Sequence, residues 1–256
     1  MKKTALLAAA AALMAASPAA ANGYIGLEYG SGSIDLGGPD VDTDVWQGEF
    51  AAGFGGPGWG GQIDGSIGNV EADSGGDADA WTLTGHLWCS GGNWRFGGVL
   101  GASQLSDGGT DIDDFIYGIE GTYDISPNAQ LISSLTGGET DSGTSIDTFN
   151  WDFGANFFPS PNIRIGGFFG IGNLDGGGVD VDTSSFGING EFQPWSAPVS
   201  ITLGWNSFEI DDIDANSDVF TIGARWNFGG GTLQDRHNAA PFDTNTGFGS
   251  RLYGIW

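Results

Sequence analysis

Eleven ionisable side chains bound the chemistry open to this chain: Glu28, Glu49, Asp64, His86, Arg95, Glu120, Asp124, Asp152, Arg164, Glu191 and Arg225. Acids outnumber bases among them. Gathered around water, such a set makes a negative field that concentrates cations and repels anions. Hydrolysis is the rival chemistry. At a lipid-facing or outer surface it needs a histidine as general base for a serine or for water, and the chain has only His86 and His237. Calcium binding is the third. Asp40-Val-Asp42-Thr-Asp44, Asp111-Ile-Asp113-Asp114, Asp180-Val-Asp182 and Asp211-Asp212-Ile-Asp214 set carboxylates at close spacing, and calcium takes about six to eight oxygens. None matches an EF-hand loop or a tandem Gly-Gly-x-Gly-x-Asp repeat, and Asp175-Gly-Gly-Gly-Val-Asp180 stands alone. The acids therefore read as a solvated surface, with no metal or cofactor expected.

The elements that must carry these residues show in a recurring pattern. Trp46-x-Gly48-x-Phe50-x-Ala52-x-Phe54 returns from Trp81, Phe115, Phe149, Ser184 and Phe220, at intervals of 35, 34, 34, 35 and 36 residues. Each unit alternates apolar with polar or small residues, and most carry an aromatic at both ends. That is one face of a bilayer-crossing strand, anchored at both interfaces. Six returning strands lie between, such as Trp59-Gly61-Ile63-Gly65-Ile67 and Trp94-Phe96-Gly98-Leu100-Ala102. The expected fold is an all-β, closed antiparallel transmembrane barrel of twelve strands. Short Gly- and Pro-containing turns alternate with longer acidic stretches: Ser31 to Asp44, Glu71 to Asp79, Asp107 to Asp114, Glu139 to Asp147, Asp175 to Asp182 and Glu209 to Asp218. These read as periplasmic turns and extracellular loops.

Parity then assigns the faces. All eleven ionisable residues fall opposite the apolar strings, toward a lumen. Lipid exposure of an arginine near mid-bilayer costs about 2–4 kcal/mol, and of an acid less. The girdles are read as Trp46, Trp81, Phe115, Phe149 and Phe220 on the outer side and Phe54, Tyr123, Phe157, Phe192 and Phe228 on the inner, with Trp59, Trp94 and Trp205 on the returning strands. His86 lies on the lumen face and His237 in the tail, so neither serves an outward catalytic site; an enzyme is not expected. Across the Gly91-Gly92 turn, Trp88 is placed opposite Arg95, in reach of a cation–π contact. Cys89 faces outward and reads as an inert thiol.

The ends complete the organisation. Lys2 and Lys3, the apolar run from Ala5 to Ala16 and Ala19-Ala20-Ala21 read as a secretory signal, residues 1–21. Both lysines lie there, leaving five arginines against 32 acids. That balance disfavours nucleic acid and anionic surfaces as partners. One cysteine allows no internal disulfide. The barrel is placed at 22–228. Residues 229–256 read as a periplasmic tail, either free or folded back as a plug; Phe248 to Trp256 is a poorer strand than Phe220 to Phe228.

The signal, the twelve-strand pattern, the Ser-Pro-Asn turns and the segment Arg225-Trp-Asn-Phe-Gly-Gly-Gly-Thr-Leu-Gln-Asp-Arg236 resemble the small porin-like barrels of Gram-negative outer membranes, over residues 1 to 236. The tail departs from that family's usual terminal aromatic. The resemblance implies passive diffusion of small hydrophilic solutes, and recognition of the last strand by the barrel-assembly machinery. The lumen acids add a preference for cations. The alternative is a closed structural or surface-interaction barrel, its acidic loops binding ions, ligands or other surfaces. Outer-membrane lipid and lipopolysaccharide, bridged by divalent ions, are the expected neighbours, and an oligomer is compatible with either.

Overall fold

The computed structural model describes residues 22–36, 40–56, 58–73, 75–107, 110–141, 145–194, 197–211 and 215–242. The signal segment, Asp212, Asp214 and the tail from 243 on lie outside the described residues. Twelve strands follow in order: β1 (Asn22–Leu36), β2 (Val41–Gly56), β3 (Trp59–Ala72), β4 (Asp77–Gly91), β5 (Trp94–Asp107), β6 (Thr110–Ser126), β7 (Ala129–Asp141), β8 (Ser145–Ser160), β9 (Ile163–Gly176), β10 (Val179–Phe192), β11 (Val199–Ile210) and β12 (Ala215–Phe228). Each pairs antiparallel with its sequence neighbours, and β1 pairs with β12 from Gly23↔Phe228 to Leu36↔Ala215, so the sheet closes on itself. Closure leaves no free edge, which suits a strand protein with an apolar outer surface.

Period two explains the faces. On β5, Trp94, Phe96 and Leu100 point outward, Leu100 with 62% of its surface exposed, while Val99 between them is buried inside. At one end of the barrel, the turn end, the connections are tight. Gly92, at φ 61°, takes the left-handed conformation that the β4–β5 turn requires; the β6–β7 and β8–β9 turns use Pro127-Asn128 and Pro161-Asn162.

The acidic stretches differ from expectation. They are not long loops: β1 runs to Leu36 and β2 restarts at Val41, β5 and β6 are parted only by residues 108 and 109, and β9 and β10 only by Gly177 and Gly178. Their acids sit on strands. The reason is a change in the phase of the alternation. On β2 the outward positions read Asp42, Asp44, Trp46, Gly48, Phe50, and the inward ones Val41, Thr43, Val45, Gln47, Glu49. Outside Trp46 the acids face out and the aliphatics face in; past it the order reverses. The same exchange occurs at Trp81, with Asp77 and Asp79 outward and Ala78 and Ala80 inward, and at Phe115, with Asp111 and Asp113 outward and Ile112 inward. Beyond the aromatic ring the barrel therefore has the polarity of a water-soluble sheet.

Those inward aliphatics pack into two clusters at the acidic end. Val45, Val70, Ala78, Ala80 and Leu105 form one, with Ile112 against it. Val181, Phe208, Ile210 and Ala215 form the other, with Leu174 against it. The first lies on β2–β5 with β6 against it, and the second on β10–β12 with β9 against it. They remain separate, and between them β8 turns Thr148, Asn150 and Asp152 inward, each only half-buried.

Candidate lumen site

Below the clusters the inner wall is polar, and its charges fall into three groups. The largest centres on Arg225 of β12. Its Nε and Nη2 donate to the two oxygens of Glu49 at 2.7 and 2.9 Å, and its Nη1 donates to Glu191 Oε2 at 2.9 Å. Glu49 lies two strands from Arg225, across β1. Gly26 makes the reach possible: a Cβ there would stand 2.5 Å from Glu49 Oε1. The guanidinium carbon also sits 4.2 Å over the Tyr24 ring. Arg164 approaches Glu191 at 3.9 Å. Glu191 and Glu49 have side chains only 3% and 4% exposed, so both need the guanidinium.

The second group surrounds His86, whose Nε2 is 2.8 Å from Asp64 Oδ2 and whose Nδ1 is 2.9 Å from both Glu120 oxygens. Thr84 donates to Asp64, as does Gln62 Nε2, at 2.8 Å. In the third, Arg95 donates to Asp124 at 3.3 Å and to Thr122 at 3.2 Å, and Gln130 donates to Asp124 at 2.8 Å. Trp88 does not stack on Arg95. The β4–β5 ladder sets Ser90 opposite Arg95 and Trp88 opposite Gly97, because the tight turn shifts the register by one pair of residues relative to that expectation.

Glu28 accepts from Thr202 at 3.4 Å and Asp152 from Ser134 at 3.3 Å. Both face a cavity of about 170 Å³, with Glu49, Asp64, Arg164 and Arg225 also on its wall. Four acids against two arginines give it an electronegative lining. Among the described residues no group of three or more His, Cys, Asp or Glu side chains is arranged to hold a metal ion.

Phe242 forms part of the same wall, and it belongs to the tail. Past Phe228 the chain turns through Gly229, Gly230 and Gly231, all at positive φ, into a short helix, α1 (Leu233–Ala239). Thr232 caps it, accepting from the Asp235 N–H, while the Asp235 carboxylate accepts from the Thr232 N–H at 2.9 Å. The helix lies across the turn end, where Gln234 N–H donates to Pro161 O at 2.9 Å and its side chain donates to Pro127 O. Arg236 and His237 point in and are buried. Arg236 Nη2 donates to Glu191 Oε1 at 2.7 Å; its Nη1 donates to Gln193 Oε1 at 3.4 Å. Burial pulls this guanidinium below its ordinary pKa, Glu191 opposing and Arg225 adding to the pull. His237 Nε2 lies 3.0 Å from Gln130 Oε1 and from Asn156 Nδ2.

Phe242 is 1% exposed. Its N–H donates to Gln62 Oε1 at 3.2 Å, and Gln62 Nε2 donates back to its carbonyl. Its ring stacks on His86 at 5.8 Å and meets Trp88 edge-on at 5.4 Å. Alternation alone could not reveal this arrangement. The signal that was available is local: Thr232-x-x-Asp235 before a run holding Arg236 and His237.

On the outer surface, Trp46, Phe54, Trp59, Trp94, Phe115, Tyr123, Phe149, Phe157, Phe192 and Phe220 are exposed, and Trp81, Trp205 and Phe228 are partly covered by neighbours. Trp205 packs between Phe186 and Phe220, with centroids at 5.6 and 6.2 Å. Trp81 Nε1 donates to Gln104 at 3.2 Å. Cys89 is exposed.

No protein-family profile matches the chain, and no curated protein matches it in sequence. Its fold does match solved structures. An outer membrane channel from Pseudomonas putida F1 superposes with a TM-score of 0.60 at 11% identity, over 82% of this chain and 96% of that one. The β domain of the Bordetella autotransporter BrkA gives 0.55 at 13% identity, over 81% and 100%. The translocator domain of the autotransporter NalP from Neisseria meningitidis gives 0.55 at 10%, over 89% and 95%. The chain has the fold of bacterial outer-membrane β-barrels.

Proposed function

We propose that this chain is an outer-membrane channel that passes small hydrophilic solutes and prefers cations. The observation that carries the reading is the contrast between the two faces of one closed sheet. The outside between the aromatic rings is apolar, and the inside encloses a cavity whose acids outnumber its arginines. An apolar band of this kind belongs in hydrocarbon, and a negative lining raises the local concentration of cations. The half-buried inner face of β8, through Thr148, Asn150 and Asp152, offers the water-accessible route past the two aliphatic clusters. The P. putida neighbour, itself an outer membrane channel, is consistent with this role. With the turn end in the periplasm, the acid-bearing hairpins stand outside, beside lipopolysaccharide.

A second reading, a closed barrel serving surface interaction, is favoured by one observation: the inward aliphatics narrow the acidic end. Planar-bilayer recording under a salt gradient separates the two. The channel reading expects unitary currents and a reversal potential on the cation side. Folded protein that passes no current either with or without residues 229–256 would sink it; an anion-side reversal would sink only the selectivity.

A further inference from the structure

We propose that the pocket around Glu191 is a guanidinium site and that Arg236 is its tethered occupant, so that the C-terminal segment closes the channel from within. The inference rests on the channel reading and goes further, naming what stops the flow and where.

Three anchors hold the segment, each on a different part of the wall. Arg236 is bound by Glu191 and Gln193 of the β10 end. His237 sits between Gln130 of β7 and Asn156 of β8. Phe242 is clasped by Gln62 of β3 through both its N–H and its carbonyl. Arg236 and Phe242 each match donor to acceptor on the wall, and His237 Nε2 lies within hydrogen-bonding distance of both amides. The barrel also leaves a space for the backbone. Gly53 of β2 faces inward, and a Cβ there would fall 2.1 Å from Ala239 O. Any other residue at 53 must push the tail away, although nothing in the extended strand itself demands glycine.

The electrostatics give the plug its chemistry. Glu191 Oε1 accepts from Ser200 and, at 2.7 Å, from Arg236, while Arg225 takes Oε2. The planar fork of a guanidinium suits a carboxylate paired with an amide oxygen better than a spherical ion does. With Arg236 withdrawn, Glu191 joins the acids exposed to the pore, and the site is free for a solute cation of the same shape. Phe242 withdraws from the cavity wall in the same movement, joining the cavity to the turn end.

Five proteins test this in planar bilayers: the full chain, Arg236→Ala, Gly53→Leu, a chain lacking residues 229–256, and Glu191→Gln in that truncated chain. Folding is checked for each by its β-sheet circular dichroism. The truncated chain, Gly53→Leu and Arg236→Ala should each open more often than the full chain. Guanidinium chloride at millimolar, non-denaturing concentration should then block the truncated chain from the turn side. Glu191→Gln in that background should weaken the block roughly tenfold, the loss of one charge-assisted hydrogen bond. Trypsin, which cuts after arginine, should cleave at Arg236 faster in Gly53→Leu than in the full chain. Equal currents from full and truncated chains overturn the plug and leave the channel reading standing. No current from either folded protein overturns both. A block unaffected by Glu191→Gln overturns the guanidinium site alone.

Discussion

Arg225 holds two nearly inaccessible glutamates at once, and each is on a different strand from its own. Removing it strands the Glu49 carboxylate and takes one guanidinium from Glu191, which keeps Arg236, whereas replacing a whole ion network with matched apolar groups can cost little. Arg225→Ala should therefore destabilise the barrel by about 3–5 kcal/mol, read as a shift in the urea midpoint of protein folded in lipid vesicles. Arg95→Ala should cost much less, because Arg95 and Asp124 are 17% and 31% exposed. The inward placement of both arginines was legible in the sequence, since period two fixes the face. Their partners were not. The Glu49–Arg225 bond crosses an intervening strand, and its possibility depends on Gly26 having no side chain. The expected Trp88–Arg95 contact fails for a related reason: face is set by parity, but partner is set by register, and register depends on the turn.

Among the elements, the strands are longer than the aromatic brackets that revealed them. Runs such as Asp111-Ile-Asp113-Asp114 look like loop because acids break the pattern of apolar positions. In β6 Asp111, Ile112 and Asp113 continue the alternation in opposite phase, while Asp114 turns inward and accepts from Ser103 and Thr140. Strand identity is a statement about backbone pairing, and the side-chain code written on it depends on the solvent outside. Three substitutions separate the segments. Leu100→Arg, outward between the rings, should destabilise by about 2–4 kcal/mol in lipid. Val70→Asp, inward within an aliphatic cluster, should cost roughly 3 kcal/mol. Asp42→Leu, outward beyond Trp46, should change the same urea midpoint little. If Val70→Asp proves as mild as Asp42→Leu, the phase change has no energetic meaning. The tail helix was the least legible element. Its capping pair is visible in sequence, but its seat is assembled from Gly53, Gln62, Gln130, Asn156 and Glu191, which belong to five different strands.

For the whole molecule, the phase change supplies a measure of depth. From Trp46 to Phe54 the chain takes eight steps. At about 3.4 Å a step and a tilt near 40°, that is roughly 21 Å of height, close to the ~25 Å apolar band of such barrels. Placement in a bilayer predicts that brominated acyl chains quench the fluorescence of a single-tryptophan variant keeping outward Trp151 or Trp226, and spare one keeping Trp88, which is buried inside against Phe242. Quenching of Trp88 to the same degree would refute the placement. The ladders that form this band do not stop at its edge. Pairing runs unbroken from Phe50↔Gly65 in the band to Thr43↔Ala72 in the acidic hairpin, with aliphatic packing behind it. The projecting hairpins are thus stiff extensions of the wall, like the rim of a bell. A push on their tips travels along rows of hydrogen bonds to the strands that surround the cavity, and a ligand gripping that rim could change the shape of the lumen without entering it.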